Sequence, residues 1–132
     1  MRISIYHNQI EEDILNQVSE LYKEWTGIYP KQLPPNLIIA FEEKTNKVIG
    51  CMILSTHYDP IWDRRWGLVE NVFVSEDYRR QGVARQLMRH LENQAKLFGC
   101  KFLKLTTNKE EGTGLYRALG YDEGLSFGKD LE

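Results

Sequence analysis

Arg79, Arg80, Arg85 and Arg89 place four cations within eleven residues, with no acid among them. Gly82 sits inside the same stretch. Ahead of it, Val72-Phe-Val74 reads as the end of a strand. Behind it, Val83, Leu87, Met88, Leu91, Ala95 and Phe98 recur at helical spacing. A strand that ends in an arginine-rich, glycine-containing loop and runs straight into a helix has a definite chemistry. The first turn of a helix has N–H groups without intrahelical acceptors and a partial positive charge, so it takes anions. A glycine there lets a ligand approach the backbone closely. A phosphate or pyrophosphate suits this set better than a carboxylate. The plainer reading is a solvated helix face and an ordinary turn. Neither the GxxxxGK motif nor GxGxxG occurs, so a phosphate site here is of another kind.

The elements that must position this segment follow from periodicity. Residues 2–6 alternate as a strand, and Ile10, Ile14, Val18, Leu21, Tyr22 and Trp25 recur as a helix with Glu11, Glu12 and Asp13 at its start. A strand over 37–42, a turn at 44–47 and a return over 48–57 make a hairpin. A polar-aromatic loop is expected over 58–66 and a strand over 68–74. After the second helix, which Gly99 stops, come a strand over 101–106, a short helix over 110–119 and a weaker strand over 121–129. The order β-α-β-β-β-α-β-α-β is a mixed α/β domain.

Composition bounds the function. The chain has 132 residues, 42% of them hydrophobic and 27% charged, which suits one globular domain with one core. Seventeen Lys and Arg against nineteen Asp and Glu leave a net charge of −2, which argues against binding nucleic acid by bulk charge. No apolar run approaches a membrane span, and Met1–Tyr6 lacks the apolar region of a signal peptide, so a cytoplasmic location is expected. The two cysteines, Cys51 and Cys100, form no CxxC or Cys/His cluster, so neither a disulfide framework nor a metal site is expected.

Arg79-Arg80-Gln81-Gly82-Val83-Ala84 resembles the (Arg/Gln)-x-x-Gly-x-(Gly/Ala) signature of the GCN5-related N-acetyltransferases, the GNAT family. Its flanks resemble the family too: Val72-Phe-Val74, Tyr78, and Leu87 with Leu91 in the helix. Downstream, Gly99-Cys-Lys-Phe-Leu-Lys-Leu105 and Leu115-Tyr-Arg-Ala-Leu-Gly-Tyr121 look like the family's next strand and its ending. The wording Val69-Glu-Asn-Val-Phe-Val74, with Gly99-Cys100, is similar to the branch that includes glucosamine-phosphate acetyltransferases, which acts mostly on small amines.

The resemblance implies a single N-acetyltransferase domain over 1–132, with the sheet splayed between its fourth and fifth strands, at 68–74 and 101–106. It implies acetyl-CoA as co-substrate. Backbone amides of Arg79, Arg80, Gln81, Gly82, Val83 and Ala84 would hold the pyrophosphate. The backbone of Val72, Phe73 and Val74 would pair with the pantetheine arm and polarise the thioester carbonyl. Tyr116 matches the tyrosine near the coenzyme sulfur, a general acid for the departing thiolate. Asn108 matches an asparagine that touches the pantetheine arm. Eight steps separate it from Tyr116 where the family usually has seven, and 109–114 lacks the usual small-residue helix start.

An acceptor amine must lose a proton before it attacks. Glu70 is the first candidate base, since even steps to Val72 and Val74 place all three on one sheet face. His57 is the second; His7 and His90 have no supporting context. The 58–66 loop, with Trp62 and Trp66, lies where the family builds part of its acceptor pocket, and Trp25 and Tyr29 are candidates for the opposing wall. Aromatic and charged groups together suit a polar amine with an apolar portion, and a homodimer contact equally well. Asp59 and Asp63 suit an ammonium, Arg64 and Arg65 a phosphate. Neither cysteine has an activating neighbour, so direct transfer in a ternary complex is expected. The expected partner is a small-molecule amine, with no nucleic acid and no membrane. Acetylation of a protein or peptide, and a silent acyl-CoA-binding module, are the alternatives.

Overall fold

The computed structural model describes residues 1–6, 9–33, 36–105, 110–123 and 127–131. They fall into two compact units: Met1–Ile53 with Asn71–His90, and Leu54–Glu70 with Leu91–Glu132. The elements are β1 (Arg2–Tyr6), α1 (Glu12–Thr26), β2 (Leu37–Phe41), β3 (Val48–Asp59), β4 (Arg64–Val74), a 3-10 turn (Glu76–Tyr78), α2 (Val83–Leu97), β5 (Cys100–Leu105), α3 (Glu110–Ala118), β6 (Asp122–Glu123) and β7 (Phe127–Asp130). This is the expected mixed α/β order, with the last strand in two pieces. β3, β4 and α2 each contribute one part to each unit.

In the first unit the strands follow the order β1-β2-β3-β4. β1 and β2 pair antiparallel from Arg2↔Phe41 to Tyr6↔Leu37, and β2 pairs with β3 from Leu37↔Ile53 onward. All five residues of β2 are buried, and a strand covered on both faces is apolar throughout rather than alternating. The stripe Ile14, Val18, Leu21 and Tyr22 of α1 belongs to one core cluster with Leu37, Ile39, Phe41, Cys51 and Ile53. Burying each such side chain contributes about 1.5–3 kcal/mol. α1 stops at Gly27, whose φ of 80° and N–H bond to the Lys23 carbonyl (2.9 Å) close its last turn.

The start of α2 is placed by an absence of side chain. A Cβ on Gly50 of β3 would lie 3.0 Å from Val83 Cγ1, 3.2 Å from Leu87 Cδ1 and 3.2 Å from the Phe73 carbonyl oxygen. The first turn of α2 therefore rests directly on bare strand backbone.

In the second unit the order is β3-β4-β5-β7-β6. β4 and β5 run parallel, from Arg65↔Cys100 to Val69↔Leu105, and the rest of β4 lies outside this register. β7 pairs antiparallel with β5 on one side and β6 on the other. The polar-aromatic loop expected over 58–66 is shorter: β3 runs to Asp59 and β4 starts at Arg64. The turn chemistry explains this. Asp59 Oδ1 accepts the N–H groups of Ile61 (3.0 Å) and Trp62 (3.4 Å), and the Tyr58 hydroxyl donates to Asp63 Oδ1 (2.5 Å). Asp63 takes a φ of 48°, a conformation that Asp tolerates, so four residues suffice to reverse the chain. The strand expected over 121–129 is two short strands, and 124–126 lie outside the described residues.

Gly67 of β4 gives the fold its sharpest test. A Cβ there would meet Leu103 Cδ2 at 2.6 Å and Leu54 Cδ1 at 2.9 Å. Both leucines are fully buried, so their ends have nowhere to move. Gly67→Ala is expected to destabilise the protein by about 1–3 kcal/mol through overpacking. Thermal denaturation checks it; an unchanged midpoint would mean that this packing is looser than described.

Candidate functional site

The arginine-rich loop belongs to the first unit and is anchored on both flanks. The Ser75 N–H bonds the Ile49 carbonyl at 2.8 Å, and the Tyr78 hydroxyl donates to Glu42 Oε2 at 3.2 Å. Gln81 Nε2 donates to the Asp77 carbonyl at 3.1 Å. Between these anchors and α2 the chain turns twice through the left-handed region, at Arg80 (φ 62°) and Gly82 (φ 82°). Arg80 has no glycine's freedom, and this conformation costs it about 1–2 kcal/mol. Around Gly82 there is open space: an added Cβ would find nothing within 4 Å.

The first helical bond after this turn runs from the Gln86 N–H to the Gly82 carbonyl at 3.1 Å. The amides of Val83, Ala84 and Arg85 precede it and have no intrahelical acceptor. No acid stands in the first turn of α2, and Arg85 adds a full positive charge there. The end of this helix is thus free to receive an anion. Arg79, Arg80, Gln81, Gly82, Val83 and Ala84 all lie on this one short path.

Just upstream, β4 departs from a plain strand. Asn71 has a φ of 52°. The alternation expected to put Glu70, Val72 and Val74 on one face is interrupted there. The physical reason is local: a left-handed residue turns the following side chains out of the strand's two-residue period. The Asn71 amide donates to the Tyr22 hydroxyl at 3.3 Å. The Val74 carbonyl is already taken: Trp25 Nε1 donates to it at 2.9 Å and Arg79 Nε at 3.2 Å. Of the expected pairing strand, Val72 and Phe73 keep half-buried positions while Val74 is buried.

The second unit carries Tyr116 on α3. Its side chain is buried, 5% exposed, with its ring 6.2 Å from that of Tyr121 in an edge-on arrangement. Burial pushes the Tyr116 phenol up to about 12. At ordinary pH it keeps its proton, the state a general acid needs. Tyr121 is raised further, by burial first and then by the charge of Glu92. Lys129 holds this end of the unit together, pairing with Glu92 at 2.9 Å and donating to the Leu119 carbonyl at 2.7 Å. Asn108 lies outside the described residues.

The residues expected near an acceptor have mixed positions. Glu70 is exposed at the end of the β4 segment of the second unit. The His57 ring stacks on Trp66 at 4.6 Å, and its Nε2 lies 3.1 Å from Ser55 Oγ. Trp62 is 71% exposed at the hairpin tip, beside Ile61 at 84%. Asp59 and Asp63 are engaged in building that tip. In the first unit, Trp25 is half-buried and tied to Val74, while the exposed Tyr29 donates its hydroxyl to Glu20 at 2.9 Å. Burial pushes the Cys51 thiol up to about 12 and raises that of Cys100, where Arg65 opposes the rise. Neither offers a ready thiolate.

Gly50 and Asn71 escaped the sequence reading, and Trp25, expected on a pocket wall, is tied to the Val74 carbonyl. The first two had a signal. An isolated glycine in an apolar strand marks close backbone approach, and an asparagine in a strand marks a site able to turn left-handed. Nothing in the sequence distinguishes a tryptophan that binds a strand carbonyl from one that lines a pocket.

Comparison with known proteins bears on this arrangement. The profile described as Acetyltransferase (GNAT) family matches residues 5–121. A GCN5-related N-acetyltransferase 4, chloroplastic, of Arabidopsis thaliana is 35% identical over 96 residues, which are 62% of this chain and 33% of that protein. The chain thus spans about a third of the length of the curated relative it matches. Among solved structures, an acetyltransferase of Trypanosoma brucei superposes with a TM-score of 0.78 at 20% identity, covering 93% of each chain. An aminoglycoside 6'-N-acetyltransferase complexed with coenzyme A superposes with a TM-score of 0.79 at 15% identity, covering 100% of this chain and 98% of that one. At such identities the structures speak for the fold. No described helix is long and apolar enough to cross a membrane. The signature loop with its two left-handed turns, the strand before it and the matched profile together identify the chain as a member of the GNAT acetyltransferase family.

Proposed function

We propose that this chain is an acetyl-CoA-dependent N-acetyltransferase domain acting on a primary amine of a small molecule. The observation that carries the reading is the start of α2: three amides without helical acceptors, no acid in the first turn, and open space at Gly82. That arrangement suits a pyrophosphate. Acetyl-CoA supplies the activated acetyl group. Val72 and Phe73 offer the backbone for the pantetheine arm.

In the reaction, the amine nitrogen attacks the thioester carbon and the carbon–sulfur bond breaks. Tyr116 gives its phenolic proton to the leaving thiolate; it holds that proton at neutral pH, as the role requires. The proton lost by the acceptor nitrogen goes to Glu70, directly or through water, with His57 as the second candidate. The protonated state of both cysteines supports direct transfer over an acetyl-cysteine intermediate. The stacked His57–Trp66 pair and the exposed Trp62 favour an acceptor with an apolar portion.

Four measurements test this reading. Coenzyme A release from acetyl-CoA should rise with at least one member of a panel of aminosugar phosphates, polyamines, aminoglycosides, amino acids and short peptides. A peptide as the sole hit would replace the small-molecule acceptor with a protein one. Binding of acetyl-CoA without turnover would favour the silent module, and no binding would end the proposal.

Tyr116→Phe is expected to lower kcat by about 10²-fold or more, the usual contribution of a general acid, with coenzyme A affinity unchanged. The same variant has a signature at high pH. A phenol near 12 in the folded chain and about 10 when unfolded stabilises the fold fully below pH ~10, and that stability is lost as pH rises towards 12. Alkaline unfolding of Tyr116→Phe should therefore be less steep across that window; an unchanged slope and an unchanged kcat would remove Tyr116 from both roles. Gly82→Glu, which puts a negative charge into the open space, is expected to abolish coenzyme A binding measured by calorimetry.

A further inference from the structure

The Val74 carbonyl closes β4 and accepts twice, from Trp25 Nε1 at 2.9 Å and from Arg79 Nε at 3.2 Å. A carbonyl oxygen has two lone pairs, and both are used. The Trp25 ring stacks on Phe73 (5.4 Å, 16°), and the Arg79 guanidinium carbon lies 4.4 Å from the indole centroid. One turn earlier in α1, Tyr22 meets Phe73 edge-on at 4.8 Å and accepts the Asn71 amide. Helix α1 thus grips the end of β4 at residues 71, 73 and 74, and the loop at its first arginine.

Arg79 immediately precedes the left-handed Arg80. Wherever the Arg79 side chain is pinned, the turn that presents the α2 amides begins. With its Nε spent on a carbonyl and its guanidinium lying against an indole, Arg79 is a strut. We propose that Trp25 and Arg79 are a pair of positioning residues for the phosphate loop, acting through the Val74 carbonyl, and that they close this carbonyl as an acceptor for any ligand strand. A pantetheine arm pairing with β4 is then restricted to Val72 and Phe73. The proposal rests on the reading of the loop as a coenzyme A pyrophosphate site.

The test uses the full chain, with coenzyme A as probe in calorimetry and acetyl-CoA in steady-state kinetics. Trp25→Phe keeps an aromatic ring and removes the N–H donor. It should weaken coenzyme A binding and raise the KM for acetyl-CoA about tenfold, the size of one net hydrogen bond. The kcat should stay within about twofold, because the loss lies in ground-state binding. Arg79→Met should do the same from the other donor, and the double variant should lose little more than the worse single one. Val18→Ala, a core truncation on the same helix, should lower the melting temperature and leave coenzyme A affinity unchanged.

Coenzyme A affinity equal to that of the unsubstituted chain in Trp25→Phe would overturn the proposal, as would a kcat loss without a KM change or fully additive effects. If Trp25→Phe does not fold, Arg79→Met carries the same prediction with the indole intact. No binding of coenzyme A by the unsubstituted chain would instead refute the pyrophosphate reading on which the pair depends.

Discussion

The contact of α2 with bare backbone at Gly50 is the constraint on which the arginine-rich loop depends. Val83 and Leu87 lie so close to β3 that even a methyl group on the strand would have to displace them. Val83 is also the first residue of α2 and part of the signature loop. The same contact therefore fixes the depth at which the helix begins and the place where its unpaired amides face outward. Hydrophobic packing does the positioning, and the electrostatics of the helix end follow from it. The loop can then afford two left-handed residues in three, because both of its ends are held.

Local patterns carried most of the fold into view. The stripe of α1, the fully apolar β2 and the periodic α2 each follow one rule along their length, and the sequence displays that rule directly. The signature segment was legible for the same reason: a strand, a glycine-bearing loop and a helix in uninterrupted order. What did not show was geometry set by a single backbone angle. Asn71 at φ 52° breaks the two-residue period that would have grouped Glu70 with Val72 and Val74. A face assignment by even steps holds only while every intervening residue stays extended. The 58–66 segment misled differently. Its Pro, Asp and aromatic content reads as a loop, yet Asp59, Tyr58 and Asp63 use their polar atoms to close a four-residue turn. Trp25 was legible as a helix-stripe aromatic and a candidate pocket wall, but its partner is a carbonyl forty-nine residues away, a pairing that only folding creates.

Burial has the same consequence for a thiol and a phenol. It keeps Cys51 protonated and so chemically quiet, and it keeps Tyr116 protonated while making the phenol a weaker acid. The physical cause is one: loss of water around a group that would have to become an anion. The exposed Glu70 and the exposed tip at Ile61 and Trp62 stand in water by contrast.

The strand order also sets a dependence inside the second unit. The order β4-β5-β7-β6 puts β7 between β5 and β6, so β6, the earlier segment in the chain, reaches the sheet only through the later one. Without Phe127–Asp130, β5 would present an open edge on that side, a template on which another chain could pair.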